Sequence, residues 1–406
     1  MKILFISGGL QIGGISSSLL SLLKVLLKED LDVALYLVER TPDTLARIPK
    51  GVHLAEIPEL DKICRIPARR SEKLKFFFQR RILINALCLH WHRHFRSADK
   101  EKQRRLEMHY YQRRDERLSR SSHIHIDLSE EYDAVISWGE LLTNYVLANN
   151  IRCGKKFGWI HPDYDGAGFD AAIDRRNLSA LDGIVAVSEA GKKSLIRNFP
   201  EWENKIFAIN NLINTEEIRE LSLQNPGIVA HDGLTFVTVA RIQNASKAFD
   251  RALRIAERLC QKGYTFSWYV VGDGEDLAAM KEAARQMGLE DCVGFLGARK
   301  NPYPYVKAAD LFVLQSYYEG RPLVVDEALI LGTPVIVTSY PAAEQQVKNG
   351  AEGLIVPNDE EEILSALENV LRNPAIIQQW KENLRAKDLG IFGRSASFFK
   401  MLGLEG

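Results

Sequence analysis

Short, continuously apolar runs recur along this chain and alternate with segments whose apolar residues follow helical spacing. Residues 184–187, Ile-Val-Ala-Val, contain no polar side chain at all. A strand with one face in water alternates apolar and polar residues, so uninterrupted runs are typical of strands that a parallel sheet buries on both faces. Because strand and helix patterns alternate many times, we predict doubly wound α/β architecture.

The apolar runs form two groups, with about six strands on either side of residue 220, and this predicts two similar Rossmann-like lobes. A polar stretch at 214–233, which contains the turn-forming Asn225-Pro226-Gly227, separates the groups. The predicted strands are residues 2–7, 32–38, 52–57, 134–137, 156–160, 183–187, 235–240, 267–271, 293–296, 311–314, 334–338 and 353–356.

The proposed lobe boundaries follow from these groups. We place the first lobe at residues 1–205 together with about 390–406, and the second lobe at 206–389. Helical patterns at 363–371 and 374–389 end the second lobe, and a last pattern at 392–402 is a candidate to cross back to the first.

Composition limits the class of protein. The 406 residues are 46% hydrophobic and 26% charged, with zero formal net charge, which is ordinary for a globular protein with enough apolar residues for two cores. The five cysteines are scattered without a C-x-x-C pair, so we expect free thiols and no metal site. The N-terminus lacks a signal-peptide pattern, and no apolar run approaches about 20 residues. We therefore expect a cytoplasmic protein with peripheral membrane contact at most.

Residues 69–120 differ from the rest of the chain. They show no strand pattern and hold 16 Lys and Arg against six Asp and Glu, a net charge of +10, with apolar and aromatic residues among the basic ones. A basic amphipathic helix suits an anionic membrane surface, whereas a helical hairpin packed on the first lobe would leave the same charges solvated. Nucleic-acid binding is disfavoured because the basic residues form a single insert in an enzyme-like chain.

Two carboxylates, Glu319 and Glu327, lie eight residues apart on either side of a turn signal. Gly320-Arg321-Pro322 predicts a loop that leads into a helix with Pro322 at its first position. Glu319 would precede the helix and Glu327 would lie about a turn and a half inside it. The free amides at the helix start favour an anion, and carboxylates accept hydrogen bonds from sugar hydroxyls. This combination fits a nucleotide-sugar site.

Four further places carry residues suited to the same chemistry at predicted strand ends. Gly13-Gly14 precedes a predicted helix at 15–27, Arg241 and Lys247 follow the strand at 235–240, and His161 follows the strand at 156–160. A strand-to-helix turn at 271–275 contains Gly272 and Asp273. Such groups can bind a diphosphate or a hydroxyl. A tight turn, solvated charges and a structural histidine are the respective alternatives.

Taken together, these motifs resemble those of retaining glycosyltransferases of family 4. The Glu319…Glu327 pair, within Tyr-Tyr-Glu-Gly-Arg-Pro-Leu at 317–323, is similar to the E-x7-E motif of that family. The resemblance is strong across the second lobe and rests on short patches in the first. It also includes Arg241…Lys247, Gly13-Gly14, Ile160-His161, Val187-Ser188-Glu189, residues 271–274 and residues 332–336.

The resemblance implies a GT-B fold, in which two Rossmann-like lobes face a cleft, and a role for each matching residue. Glu327 would bind the ribose hydroxyls, Arg241 and Lys247 the pyrophosphate, and Glu319 the hydroxyls of the donor sugar. Gly14 would approach the diphosphate from the first lobe, and His161 would lie near the donor sugar and the acceptor. The residues implied in catalysis are His161, Glu319, Arg241 and Lys247. Those implied in donor binding are Gly13, Gly14, Arg241, Lys247, Gly272, Asp273, Glu319, Gly320, Arg321, Leu323, Val324 and Glu327.

Arg321 departs from the family pattern, which often has an apolar residue at this place. Its guanidinium is a candidate to reach an anionic group of the donor or acceptor, and the alternative is an exposed side chain. The identity of the donor depends partly on this residue.

The activity implied is that of a retaining, metal-independent hexosyl- or N-acetylhexosaminyltransferase (EC 2.4) that needs no cofactor. It would transfer a sugar from a nucleotide diphosphate, with a UDP-sugar favoured, to a lipid-linked or polysaccharide precursor of the cell envelope. The basic insert would hold it on the inner face of the cytoplasmic membrane. The alternative is a non-catalytic glycosyltransferase-like subunit that supports an active partner. A Rossmann oxidoreductase is disfavoured because no G-x-G-x-x-G occurs.

Overall fold

The computed structural model describes residues 1–11, 13–29, 31–65, 72, 73, 76, 100–227, 233–385 and 396–404. The chain divides into two compact units, Met1–Leu212 with Arg394–Gly406, and Ile213–Gly393. The division lies close to the boundary at 205/206 that the sequence suggested. Each unit is built around a parallel sheet.

The N-terminal unit contains a seven-stranded sheet whose strand pairs are all parallel. Its strands are β1 (Lys2–Ser7), β2 (Asp32–Leu37), β3 (His53–Leu54), β5 (Ala134–Ser137), β7 (Lys155–Ile160), β8 (Gly183–Ala186) and β9 (Ile206–Ala208), and β4 (Ile126–Asp127) pairs with β6 (Ile151–Arg152) in a separate small sheet. The strand order is β3-β2-β1-β5-β7-β8-β9. The order reverses beside β1, and in open α/β sheets ligands bind at the carboxyl ends of the strands near such a point.

Helices cover both faces of this sheet. They are α1 (Gly14–Lys28), α2 (Pro42–Leu45), α3 (Pro58–Cys64), α4 (Lys100–Arg120), α5 (Leu142–Asn150), α6 (Tyr164–Ala167), α7 (Ala171–Leu178) and α8 (Glu189–Asn198), followed by a 3-10 helix at Pro200–Lys205. Along β1, Ile3 and Phe5 pack into one apolar cluster and Leu4 and Ile6 into the other. The prediction of strands buried on both faces is therefore confirmed for β1, an interior strand of this sheet.

The C-terminal unit repeats the arrangement with six parallel strands. They are β10 (Leu234–Val239), β11 (Phe266–Val271), β12 (Val293–Gly297), β13 (Leu311–Leu314), β14 (Val335–Thr338) and β15 (Gly353–Val356), in the order β12-β11-β10-β13-β14-β15. Its helices are α9 (Thr215–Leu221), α10 (Asn244–Lys247), α11 (Phe249–Gln261), α12 (Leu277–Gln286), α13 (Tyr303–Ala308), α14 (Leu323–Ile330), α15 (Ala343–Gln346), α16 (Glu360–Arg372) and α17 (Ala375–Arg385).

The last helix, α18 (Ala396–Leu402), packs in the N-terminal unit. The ring of Phe398 stacks on Phe5 with 6.5 Å between centroids and lies 6.0 Å from Trp159. Met401 and Leu402 join the same apolar cluster as α1. This helix therefore supplies core residues to a sheet whose first strand lies nearly 400 residues earlier in sequence.

The insert divides into two parts. Residues 100–120 form α4, in which Gln112, Leu118 and Ser119 are fully buried. The Ser119 hydroxyl donates to Asn150 Oδ1 at 2.8 Å, which ties α4 to α5. This part of the insert therefore packs on the first lobe. Residues 69–71, 74, 75 and 77–99, where the membrane hypothesis mainly rests, lie outside the described residues. Among the residues that the structure does describe, no helix combines the length and apolar character needed to cross a membrane.

Three short strands mark where sequence patterns were insufficient. β9 has only three residues and β4 and β6 have two each, too few for a visible periodicity, and all three were missed. The strand predicted at 52–57 is reduced to His53–Leu54, because at the sheet edge it pairs with β2 alone and both its residues are exposed. Residues in an edge strand bury little apolar surface, so the pattern of apolar residues predicts the bounds of such a strand poorly.

We predict that Phe398→Ala destabilises the N-terminal unit by about 3–5 kcal/mol, since a fully buried aromatic side chain would be replaced by a cavity. Urea unfolding followed by tryptophan fluorescence would measure the loss. The adjacent Phe399 is only partly buried, so Phe399→Ala is a matched control with a smaller expected loss. Equal losses would show that α18 does not contribute to the core as described.

Candidate functional site

Helix α14 begins one residue later than the sequence indicated. Pro322 is its N-cap, with φ −68° and ψ 115°, and Leu323 is the first helical residue. Pro322 therefore does not occupy the first helical position, although its fixed φ suits the N-cap equally well. No side chain of the described residues caps this end. The amides of Leu323 and Val324, which have no intrahelical acceptor at this position, are therefore the donors that a helix start offers to an anion.

The structure joins two of the predicted site residues directly. Lys247 Nζ lies 2.5 Å from Glu319 Oε1, and the Ser316 hydroxyl donates to the same oxygen at 2.6 Å. Both side chains are largely buried, so the ion pair is screened little by water. The second oxygen of Glu319 has no hydrogen-bond partner among the described residues. Glu319 therefore holds Lys247 with one oxygen and has the other available to accept a hydroxyl.

Lys247 is held in place through its backbone as well. It ends α10, and the next residue, Ala248, has φ +54°, a left-handed conformation that non-glycine residues seldom adopt. The Gln315 side-chain amide donates to the Lys247 carbonyl at 3.0 Å, and the Tyr317 amide donates to the Ser246 carbonyl at 2.8 Å. These bonds join the loops that follow β10 and β13, which are neighbouring strands, and so bring Lys247 to Glu319.

Glu327 is buried inside α14, and Tyr303 on α13 donates its hydroxyl to Oε1 at 3.3 Å. Burial raises the pKa of Glu327 to about 7, although the Tyr303 hydrogen bond lowers it. No cation pairs with this carboxylate among the described residues. Glu327 is thus a buried carboxyl group that changes charge near neutral pH, and in its ionised form it needs further hydrogen-bond donors.

Arg321 is not exposed, and this alternative of the sequence analysis is wrong. Its side chain is only 3% exposed, and Nη2 donates to Asp326 Oδ1 at 3.0 Å. The other oxygen of Asp326 accepts from Gln346, which also donates to the Pro322 carbonyl at 3.1 Å. A guanidinium buried this deeply requires an opposite charge, and Asp326 supplies it. Within the structure, Arg321 fixes the loop Gly320–Pro322 against the start of α14.

Arg241 follows β10 as expected, and its guanidinium is exposed. Nη2 donates to Glu275 Oε2 at 3.1 Å, and Gln243 donates to the other oxygen of Glu275 at 2.9 Å. Glu275 belongs to the turn after β11 that the sequence singled out, but its pairing with Arg241 was not foreseen. An exposed Arg held by one carboxylate keeps donors that are free to bind a phosphate oxygen.

Gly272 and Asp273 have a packing role that the sequence did not show. A Cβ added at Gly272, where φ is +154°, would lie 1.9 Å from the Ala240 carbonyl oxygen. The Asp273 carbonyl accepts from the Ile242 amide at 2.9 Å, and its carboxylate accepts from the Gly274 amide at 2.8 Å. The turn after β11 is therefore pressed against the loop that carries Arg241, and only glycine fits at the contact. A donor contact by these two residues stays a prediction.

The N-terminal unit has its own group of polar residues where β1, β5 and β7 end. Gly13, with φ +156°, precedes α1, whose first residue is Gly14, and no side chain of the described residues caps this helix. The Trp138 indole, just after β5, donates to the Ile15 carbonyl at 3.0 Å, and its ring lies 5.4 Å from the ring of His161. Trp138 therefore links the start of α1 to His161, which follows β7.

His161 is buried, and neither ring nitrogen has a hydrogen-bond partner among the described residues. Burial lowers the pKa of His161 to about 3. The imidazole is therefore neutral at physiological pH, with one nitrogen able to donate and the other to accept a hydrogen bond. It suits a hydroxyl group far better than an anion, and it is a weak base.

Glu140 was missed by sequence reasoning. Its carboxylate lies near the backbone amides of Glu140 itself and of His161. Oε2 is buried and has no hydrogen-bond partner in the described part of the chain. Burial raises the pKa of Glu140, while the two amides oppose the shift. The sequence signal that could have identified Glu140 is its position three residues after the predicted strand at 134–137, which puts it at the edge of the sheet where ligands bind.

Metal ligation finds no support in the described residues, since no group of three or more His, Cys, Asp or Glu has the required arrangement there. The four described cysteines are free thiols, and Cys260 Sγ lies 3.0 Å from Cys292 Sγ. The charged groups near α14 are instead Lys247 and Arg241, which are suited to an anion.

Comparison with protein families matches residues 224–387 to glycosyl transferases group 1. An uncharacterized glycosyltransferase of Haemophilus influenzae is 28% identical over 218 residues, covering 53% of this chain and 59% of the relative. An N-acetylgalactosamine-N,N'-diacetylbacillosaminyl-diphospho-undecaprenol 4-alpha-N-acetylgalactosaminyltransferase of Campylobacter jejuni is 23% identical over 225 residues, covering 54% and 60%. The matches thus span less than two thirds of these relatives.

Solved structures resemble the chain over nearly its whole length. The S. aureus TarM G117R mutant, in complex with fondaparinux, alpha-GlcNAc-glycerol and UDP, has a TM-score of 0.65 and 13% identity, with 99% of this chain and 100% of that chain covered. Anabaena HepE in complex with UDP has a TM-score of 0.61 and 16% identity, with 95% and 94% covered. At such identities the likeness concerns the fold.

We predict that stability depends on pH through Glu327. Its folded pKa of about 7 exceeds the ordinary value of 4.5, so the protonated group stabilises the fold below pH 4.5 and this contribution is lost as pH rises through 7. The loss amounts to roughly 3 kcal/mol at about 1.4 kcal/mol per pKa unit.

Urea unfolding of Glu327→Gln and wild type at pH 5 and pH 8 would measure this effect. The Gln variant should become more stable relative to wild type at pH 8, because Gln imitates the protonated group. The exposed Glu344→Gln is the control and should show no such change. A pH-independent difference for Glu327→Gln would contradict the assignment.

Proposed function

We propose that the protein is a retaining glycosyltransferase. The chain has the GT-B fold, and its residues 224–387 match glycosyl transferases group 1. It transfers a hexosyl or N-acetylhexosaminyl group from a nucleoside diphosphate, favouring UDP, and uses neither a metal nor a cofactor. The observation that carries this proposal is the Lys247–Glu319 contact, which places a cation beside a carboxylate that keeps one oxygen available.

The roles proposed for the C-terminal unit follow from its contacts. Lys247 has three donors, so it can keep Glu319 while it donates to a phosphate oxygen. Arg241 provides a second cation, and the amides of Leu323 and Val324 point from the start of α14. Negative charge grows on the diphosphate as the glycosidic bond breaks, and prearranged donors stabilise that state more than the ground state. Fixed cations can supply what a metal ion supplies in other enzymes.

The carboxylates have separate proposed roles. Glu327 binds the ribose hydroxyls, which supply the donors that its buried ionised form lacks. Glu319 accepts a hydroxyl of the donor sugar with the oxygen that Lys247 leaves available, and the leaving phosphate takes the proton of the acceptor. Glu319 is not proposed as a nucleophile, because the proposed step is a front-face attack by the acceptor hydroxyl, in which no covalent sugar–enzyme intermediate forms.

The proposed acceptor is a lipid-linked or polysaccharide precursor of the cell envelope. The relative from Campylobacter jejuni is named for a diphospho-undecaprenol substrate, and other relatives are named for amylovoran biosynthesis in Erwinia amylovora and lipopolysaccharide core biosynthesis in Rhizobium meliloti. We also propose a cytoplasmic location, with the basic residues of the insert on the inner face of the membrane.

Calorimetry with UDP tests the nucleotide site. Wild type should bind UDP in the presence of EDTA, and Glu327→Ala should bind at least tenfold more weakly, because hydrogen bonds to a charged group contribute about 1.5–3 kcal/mol. Arg241→Ala should lower the turnover of UDP-sugar hydrolysis by a similar or larger factor. Glu344→Ala is the control. Wild-type binding and turnover in both site variants would show that this site is wrong.

Sedimentation with liposomes tests the membrane part separately. The protein should sediment at low salt with vesicles that contain anionic phosphatidylglycerol and stay in solution with neutral phosphatidylcholine vesicles, since Lys and Arg interact with anionic headgroups. Binding should weaken as salt is raised. Failure to bind anionic vesicles at low salt would remove the membrane proposal and leave the proposed activity intact.

A further inference from the structure

We infer that Glu140 is a sugar-binding residue of the N-terminal unit and that its buried Oε2 accepts a hydroxyl group beside His161. The inference deepens the proposed function and rests on it, because a glycosyltransferase supplies the hydroxylated ligand. No motif used in the sequence analysis includes Glu140. It is the arrangement of neighbouring strands that places it beside His161.

The topology puts Glu140 where a ligand is expected. β5 lies between β1 and β7, and all three strands are parallel. Their carboxyl ends therefore meet at one edge, with Gly13-Gly14 after β1, Glu140 after β5 and His161 after β7. The strand order reverses beside β1, and this is the point of an open α/β sheet at which ligands bind.

The Glu140 carboxylate lies close to the loop after β7. The backbone amides of Glu140 and of His161 are near enough to this group to lower its pKa, although burial outweighs them. The next residue, Leu141, has φ +64°, which is rare for a non-glycine residue, and α5 starts directly after it.

The unpartnered atoms define the ligand. Glu140 Oε2 and both ring nitrogens of His161 are buried and have no hydrogen-bond partner among the described residues. Leaving such groups unsatisfied is unfavourable, so a purely structural pair would be expected to bond to each other or to a neighbour. The three atoms together offer acceptors and one donor within one short section of the sheet edge.

The ligand must be neutral and must carry hydroxyl groups. A phosphate would be repelled by the Glu140 carboxylate, and the neutral imidazole would not attract it. A hydroxyl donates to Oε2 and can both donate to and accept from an imidazole nitrogen. A sugar ring carries several such groups at fixed spacing. The ring can belong to the donor or to the acceptor, and kinetics separates these two sources.

Glu140→Gln is the sharpest variant. Gln keeps a carbonyl oxygen near the two backbone amides and replaces the unpartnered oxygen with an NH2 group, which cannot accept a hydrogen bond from a hydroxyl. We would measure UDP binding by calorimetry, slow hydrolysis of UDP-glucose, UDP-galactose and UDP-N-acetylglucosamine, and transfer to octyl glycosides. The control is Glu131→Gln, an exposed residue three positions before β5, and thermal unfolding would verify that each variant is folded.

The expected result is UDP binding within twofold of wild type and a fall of at least tenfold in kcat/KM for one sugar. A fall in hydrolysis assigns the contact to the donor sugar. A fall in transfer with unchanged hydrolysis, seen as a higher KM for the octyl glycoside, assigns it to the acceptor. Glu140→Asp keeps the negative charge but shortens the side chain, so the carboxylate lies farther from the hydroxyl. If the Gln variant does not fold, this Asp variant should show the same kinetic loss.

Two outcomes would overturn the inference in distinguishable ways. Wild-type kinetics of the folded Gln variant on every sugar would overturn it and leave the proposed function standing. A wild-type protein that neither binds UDP nor hydrolyses any UDP-sugar would overturn the proposed function, and the inference with it. A lower unfolding temperature with unchanged kinetics would show that Glu140 is structural only.

Discussion

Burial of both faces of the two parallel sheets is the constraint on which the other features depend. Helices cover the faces of the central strands, so polar groups that a ligand can reach lie chiefly at the strand ends. Parallel strands all end at one edge, and every candidate residue outside α14 follows a strand at that edge. Gly13 and Gly14 follow β1, Glu140 follows β5 and His161 follows β7 in one unit. Arg241 follows β10, Gly272 follows β11 and Glu319 follows β13 in the other.

Electrostatics distinguishes the carboxylates that lie in or near α14. Glu319 is paired with Lys247, and Asp326 is paired with Arg321, so each of these charges is compensated within the fold. Among the partners that the structure describes, Glu327 has the Tyr303 hydroxyl alone, and its pKa rises toward neutrality as a result of burial. A buried carboxyl group without a cation is a feature of functional sites more often than of structural networks. The contrast explains why one motif with two glutamates contains two different chemical environments.

Electrostatics also characterises the candidate residues of the N-terminal unit, His161 and Glu140. His161 is a neutral imidazole at physiological pH, and the Glu140 carboxylate lies near backbone amides, with no cation paired to it in the described part of the chain. A neutral imidazole and an unpartnered carboxylate oxygen are suited to hydroxyls, whereas Arg241, Lys247 and the start of α14 are suited to anions. The two units therefore differ in the chemistry that their strand ends offer.

Much of this was predictable from the chain alone, because local patterns carry it. Apolar runs such as 134–137 and 311–314 are strands with the predicted bounds, and α18 is the helix expected near the C-terminus. Strand ends then indicated where Arg241, Lys247 and His161 would lie. What the sequence determined by itself is therefore the order of elements, the class of fold and the positions of polar residues along it.

Tertiary structure alone decided which of these residues touch. Lys247 and Glu319 are 72 residues apart, and the partners of Arg241, Arg321 and Glu140 depend on strand order and loop packing. Such pairings leave no periodic signal, since burial and neighbouring charges are properties of the folded chain.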